Sequence, residues 1–152
     1  MKKIAIFILF SLICQFSFAQ MGAMQDEEIA KRLVIGAFEE IWSNLDSTMI
    51  KHYHTDDFLL LENGVLWNND SIRDYQKKTL ERTIKWKREN KFDFVRVKKS
   101  ANSIWLAYHN YATWTIDSNI IRKVHWLESA VAIKTRDGWK LQMLHSTRIQ
   151  EH

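Results

Sequence analysis

The sequence predicts an α+β fold in which three helices, all in the N-terminal half, pack on the concave face of a cone-shaped, curved antiparallel or mixed sheet. Three observations predict it. Apolar residues recur at helical spacing early in the chain, they alternate at strand spacing from Phe92 onward, and turn-forming pairs separate the alternating runs. A chain of 152 residues, 46% hydrophobic and with seven tryptophans, also carries too much apolar surface to stay disordered.

The first nineteen residues are read apart from the fold. Lys2 and Lys3 make a basic start, Ile4 to Cys14 is an apolar run, and Ser17-Phe18-Ala19 puts small residues where a signal peptidase reads. This predicts a bacterial-type secretory signal, residues 1–19, cleaved before Gln20. The apolar run is too short to span a bilayer comfortably, and Ile13 stands where a lipidated Cys14 would need a small neighbour. Cleavage leaves one domain, residues 20–152, of 133 residues (152 less 19) with a charge of +2 (+4 less two lysines). The single cysteine departs with the signal, so the mature chain relies on its core rather than on disulfides. It is expected to be periplasmic or secreted, with no membrane association after cleavage.

The elements follow in order. From Asp26, a plausible N-cap, Ile29, Leu33, Ala37, Ile41 and Leu45 mark the stripe of a first helix. Asp46 or Ser47 opens a short second helix through Met49, Ile50 and Tyr53. Phe58 to Leu61 and Val65 to Trp67 read as strands joined by Asn63-Gly64, a type I′ hairpin pair. Asn69, Asp70 or Ser71 then caps a third helix carrying Ile72, Tyr75, Thr79 and Leu80. Strands are predicted around 92–98, 104–116 and 121–135, and Asp137-Gly138 is predicted to make a second type I′ turn into a last strand over 139–149. Two of these strands are long, so the sheet should curl, and a curled sheet closed by helices leaves a pocket at its open end.

At this point the chain resembles the nuclear transport factor 2-like superfamily, in particular its bacterial SnoaL-like members. Tyr53-His54-Thr55-Asp56-Asp57-Phe58 leading into Asn63-Gly64, Asp137-Gly138-Trp139-Lys140-Leu141, and Leu144-His145-Ser146-Thr147-Arg148 carry the resemblance. It implies a cone used as a pocket and a homodimer formed through the outer face of the sheet. The family spans isomerases, dehydratases, hydrolases, cyclases and proteins that only bind, so the fold does not choose a reaction.

Alternation places Trp126, Glu128, Ala130 and Ala132 on one face of the long strand, where burial would raise the Glu128 pKa and make it a usable acid or base. On the last strand it groups His145 with Trp139, Leu141 and Met143. Pairing about Asp137-Gly138 matches position i with about 275 − i and brings Glu128 and His145 close to facing each other. The pair is the candidate catalytic set; the competing reading is a structural ion pair or a contact on the dimer sheet. Candidate ligand contacts are Tyr53, His54, Trp105, His109 and Trp126. Alternation alone leaves open whether Trp105 and His109 or their neighbours Leu106, Tyr108 and Asn110 face inward. His52 and His54 lack a third ligand at a diagnostic spacing, so no metal site is assigned.

Residues 77–99 hold ten Lys or Arg against three acids, a segment of +7 in a chain of low net charge. Its bland reading is the solvated back of the third helix followed by a lysine-guarded strand edge; no nucleic-acid motif accompanies it. The function expected is binding of a small, partly apolar molecule in the cone, with cofactor-independent proton transfer as the natural chemistry. The alternative is a non-catalytic binding or interaction module in which the same residues are packing.

Overall fold

Helix α1 covers residues 24–37 and continues without a break as a π-helical stretch, Phe38–Ser43. Its buried stripe runs from Ala30 through Leu33, Val34, Ala37 and Phe38 to Ile41 and Trp42. Asp26, expected as the cap, lies inside the helix instead. Its carboxylate accepts from Trp139 Nε1 at 3.0 Å and pairs with Lys99 at 2.6 Å, which ties α1 to both halves of the sheet. The computed structural model describes residues 24–150, and the expected signal, residues 1–19, lies outside the described residues.

After a 3-10 turn at Ser47–Met49, helix α2 (Ile50–Tyr53) leads straight into β1 (His54–Glu62). Asn63 and Gly64, at φ 49° and 82°, form the type I′ turn into β2 (Val65–Trp67). Helix α3 (Asn69–Leu80) is capped one residue earlier than expected: Asn68 Oδ1 accepts from Ser71 N at 2.9 Å, and Ser71 Oγ accepts from Asn68 N at 3.4 Å. That reciprocal box satisfies donors the first helical turn leaves open. Strands β3 (Lys87–Ser100), β4 (Ser103–Ile116), β5 (Asn119–Thr135) and β6 (Gly138–Arg148) complete the chain.

The six strands form one sheet in the order β2-β1-β6-β5-β4-β3. β1 runs parallel to β6 and the other neighbours are antiparallel, so the sheet is mixed. Pairing shifts in β3–β4, β4–β5 and β5–β6 mark bulges, which bend strands of this length into the cone. The helices cover the inner face. There Phe58, Leu60, Ile104, Leu106, Tyr108, Ala130, Ala132, Leu141 and Leu144 meet Val34, Phe38, Ile41 and Ile72 in the main core. A smaller cluster of Ala112, Trp114, Val124 and Trp126 closes the far end.

Two local expectations about the last hairpin do not hold. Its loop is Arg136-Asp137, closed by the pair Thr135 and Gly138, and only Gly138 has positive φ, 109°. That is the pattern of a turn followed by a glycine bulge, not a type I′ pair. The register is therefore i to 273 − i near the turn. It becomes 274 − i beyond Val131 because Gln142 is an extra residue in β6. One inserted residue reverses the alternation. Trp139 and Leu141 face inward before it, Leu144 and Ser146 after it, and His145 is thrown to the outer face.

Candidate functional site

Between the main core and the far aromatic cluster lies a cavity of about 190 Å³. Phe38 and Trp42 on the π stretch, Trp67 at the end of β2 and Tyr75 on α3 supply one wall. The π stretch sets Phe38 and Trp42 side by side, ring centroids 6.4 Å apart, and such stretches recur at functional sites. The sheet supplies the opposite wall with Leu60 and Leu144, and with the charged and polar groups Glu62, Arg88, Arg122, Glu128 and Ser146.

The chemistry centres on Glu128, which is 4% exposed. Register places it between Tyr108 on β4 and Ser146 on β6. Ser146 Oγ donates to Oε1 at 2.9 Å, and Asn110 Nδ2 reaches Oε2 at 3.4 Å. Burial pushes the carboxyl pKa up to about 7 against the pull of Ser146, Arg88, Tyr108 and Asn110. The Tyr108 hydroxyl stands close enough to feel Glu128, and burial together with that carboxylate holds its pKa well above the usual value. Among the described residues it has no hydrogen-bond partner, nor do Asn110 Oδ1 and Trp126 Nε1. Glu62 is also raised by burial, opposed by the charges of Arg88 and Arg122 and by the nearby Trp126 indole.

Two guanidinium groups face these acids. Arg88, Trp114 and Arg122 are successive cross-strand neighbours on β3, β4 and β5, so the pleat stacks them in one row. Arg88 lies 5.0 Å and Arg122 4.9 Å from the Trp114 ring centroid, and Arg88 also sits 5.6 Å from that of Trp126. Cation–π contact on this scale contributes about 0.5 to 2 kcal/mol each. Burial lowers the Arg88 pKa to about 10, which leaves it charged at neutral pH.

Of the residues singled out from sequence, Glu128 and Trp126 line this cavity. His145 does not: it is exposed on the other side of the sheet, beside Ser129 and Leu61, so the expected Glu128–His145 pair does not form. Trp105 and His109 also lie on the outer face, because Leu106, Tyr108 and Asn110 are the inward set of β4. Tyr53 packs against α1, where a Cβ at Gly36 would stand 2.5 Å from its hydroxyl. His54 is buried beneath α3, stacked 3.7 Å from Phe58, with Nδ1 3.0 Å from Asn69 Oδ1. Since Asn69 Nδ2 donates to the Thr55 carbonyl at 2.8 Å, its oxygen faces the imidazole and His54 Nδ1 is the donor. His54 pins α3 to β1 rather than reaching the cavity. Among the described residues, no three His, Cys, Asp or Glu come together to hold a metal ion.

Sequence reasoning missed Arg88, Arg122, Tyr108, Asn110 and Ser146. A signal for Arg88 was present: Arg88, Asn90, Phe92 and Phe94 alternate as one inward face, which marks a single arginine of the basic segment as internal.

The fold and cavity define a cone-shaped α+β protein with a partly polar cavity between its two core clusters. No family model and no curated protein matches the sequence. Solved structures do match. A nuclear transport factor 2-like protein with a cystatin-like fold from Novosphingobium aromaticivorans is 9% identical, covers 88% of each chain and superposes with a TM-score of 0.70. A conserved protein from Planctomyces limnophilus is 16% identical over 81% of this chain and 96% of its own, with a TM-score of 0.67. A ketosteroid isomerase-like protein from Erwinia carotovora atroseptica is 15% identical over 83% and 98%, with a TM-score of 0.63. The chain has the nuclear transport factor 2-like, cystatin-like fold.

Proposed function

We propose that the cavity binds a small, partly apolar molecule and that Glu128 exchanges a proton with it, without a cofactor. The observation that carries this reading is a buried carboxyl with a pKa of about 7 that lines one cavity together with two guanidinium groups. A group that titrates near neutral pH serves as base and acid in turn. On an enolisable carbonyl compound, the Glu128 carboxylate takes the α-proton. The electron pair of the broken C–H bond moves into the carbonyl oxygen, and a guanidinium stabilises the oxyanion until the proton returns to the same or a neighbouring carbon. Isomerisation and dehydration share that first step.

Exchange of α-protons into D2O, followed by NMR with phenylacetone, tests the step. Wild type should accelerate exchange, and Glu128→Gln should slow it by about 100-fold or more. Exchange no faster than in acetate buffer of equal pH would sink the enzymatic reading. A non-catalytic binding module is the second reading. It is favoured by the hydrogen bonds that already occupy both carboxylate oxygens.

The same reading includes export: residues 1–19 direct the chain out of the cytoplasm, and the domain begins at Gln20. N-terminal sequencing of protein recovered from outside the cytoplasm should return Gln20 first; an intact Met1 would exclude cleavage. The outer face of the sheet is further proposed as the contact with a second copy.

A further inference from the structure

Arg88 is 9% exposed, and its Nε donates to Asn90 Oδ1 at 3.1 Å. Its Nη groups reach no acceptor among the described residues, and neither Arg88 nor Arg122 has a carboxylate within salt-bridge distance there. Glu62 and Glu128 line the same cavity yet stand off. A buried guanidinium held by aromatic faces, with its forked donors unused, is costly unless an anion completes it. The Arg88–Trp114–Arg122 row presents this buried group, and the exposed Arg122 beside it, to one space.

We propose that the ligand is a small aromatic or apolar monocarboxylate, its carboxylate held by Arg88 and Arg122 and its body against Trp42, Trp67 and Tyr75. This rests on the cavity being the binding site and adds the class of compound that fills it. Guanidinium and carboxylate match as planar, paired donors and acceptors. Size agrees: a cavity of about 190 Å³ has room for a one-ring compound. Charge separates a carboxylate from a phosphate. Glu62 and Glu128 share the cavity with the two guanidinium groups, so a monoanion meets less like-charge repulsion there than a dianion does.

The test uses the whole protein and three probes of similar shape: phenylacetate, its uncharged amide phenylacetamide, and phenyl phosphate. Binding is read by titration calorimetry and by the fluorescence of the cavity tryptophans. Phenylacetate should bind about tenfold or more tighter than the amide, the usual gain of a charge-assisted contact, and tighter than phenyl phosphate. Arg88→Gln should abolish that preference. Should it not fold, Arg122→Gln at the exposed rim should cut phenylacetate affinity about tenfold while changing amide affinity little. Amide binding as tight as acid, or an acid preference untouched in Arg122→Gln, overturns the carboxylate assignment and leaves the cavity reading standing. Phenyl phosphate binding tightest overturns it in favour of a dianion. Failure of all three probes to change heat or tryptophan emission overturns both readings.

Discussion

Glu128 and His54 are both buried, and burial moves their stability contributions in opposite directions with pH. His54 is held neutral, its pKa lowered to about 4 by burial despite the Asn69 hydrogen bond. The stability it contributes is complete above its unfolded value near 6.5 and is lost as pH falls through about 4. Glu128 is raised to about 7, so its contribution is complete below about 4.5 and is lost as pH rises through 7. At about 1.4 kcal/mol per unit, its alkaline loss is roughly 3 kcal/mol. Urea titrations from about pH 4 to about pH 9 should therefore show Glu128→Gln gaining on wild type by that amount as pH rises. A constant difference across the range would show that the Glu128 pKa is the same in the folded and unfolded chain. At this scale the sequence was readable for Glu128 and Trp126. An acid between tryptophan and alanines on an alternating strand has few places to go but inward. His145 was misleading, because its face depends on a residue three positions away.

That residue, Gln142, makes the same point for elements. Every helix and strand could be placed from periodicity and turn pairs, because those signals are local and each element is long enough to repeat them. Phase along β6 could not be, since a bulge is set by how β6 meets β5 and leaves no mark in a stretch such as Lys140-Leu141-Gln142-Met143. The turn carried a partial signal. Asp137-Gly138 promised a tight hairpin and delivered one, but Gly138 supplies positive φ just after the loop instead of within it. The bulge alone was enough to separate Glu128 from His145, because the register near the turn, carried on unbroken, would pair the two directly. The cross-strand row of Arg88, Trp114 and Arg122 was hidden for a related reason. It needs the registers of two hairpins at once, and each contains a shift. A site built across strands is thus less legible than the strands that build it.

For the molecule as a whole, the edges and faces of the sheet are treated differently. β3 lies at one edge and carries much of the basic segment, and β2 at the other edge is only three residues long. Charge and shortness both discourage pairing of edges between molecules. The outer face has no such guard. Leu59, Leu61, Trp105, Tyr111 and Leu127 are exposed on it, Trp105 at 44% and Leu127 at 47%. Around them His109 Nδ1 and His125 Nε2 share a hydrogen bond of 2.8 Å, with Tyr111 stacked on His125 at 4.2 Å. Exposed apolar residues of this kind support the proposed contact with a second copy. A second copy is the occupant that fits, because a two-fold contact places each Leu127 and Trp105 against its own counterpart or neighbours and needs no complementary partner. Sedimentation equilibrium should give a dimer for wild type at micromolar concentration and a monomer for Leu127→Asp. The variant should keep its cavity tryptophan emission, since Leu127 points away from Glu128 and the core. A wild-type monomer at every accessible concentration would leave the patch without this role, and a Leu127→Asp dimer would move the interface elsewhere.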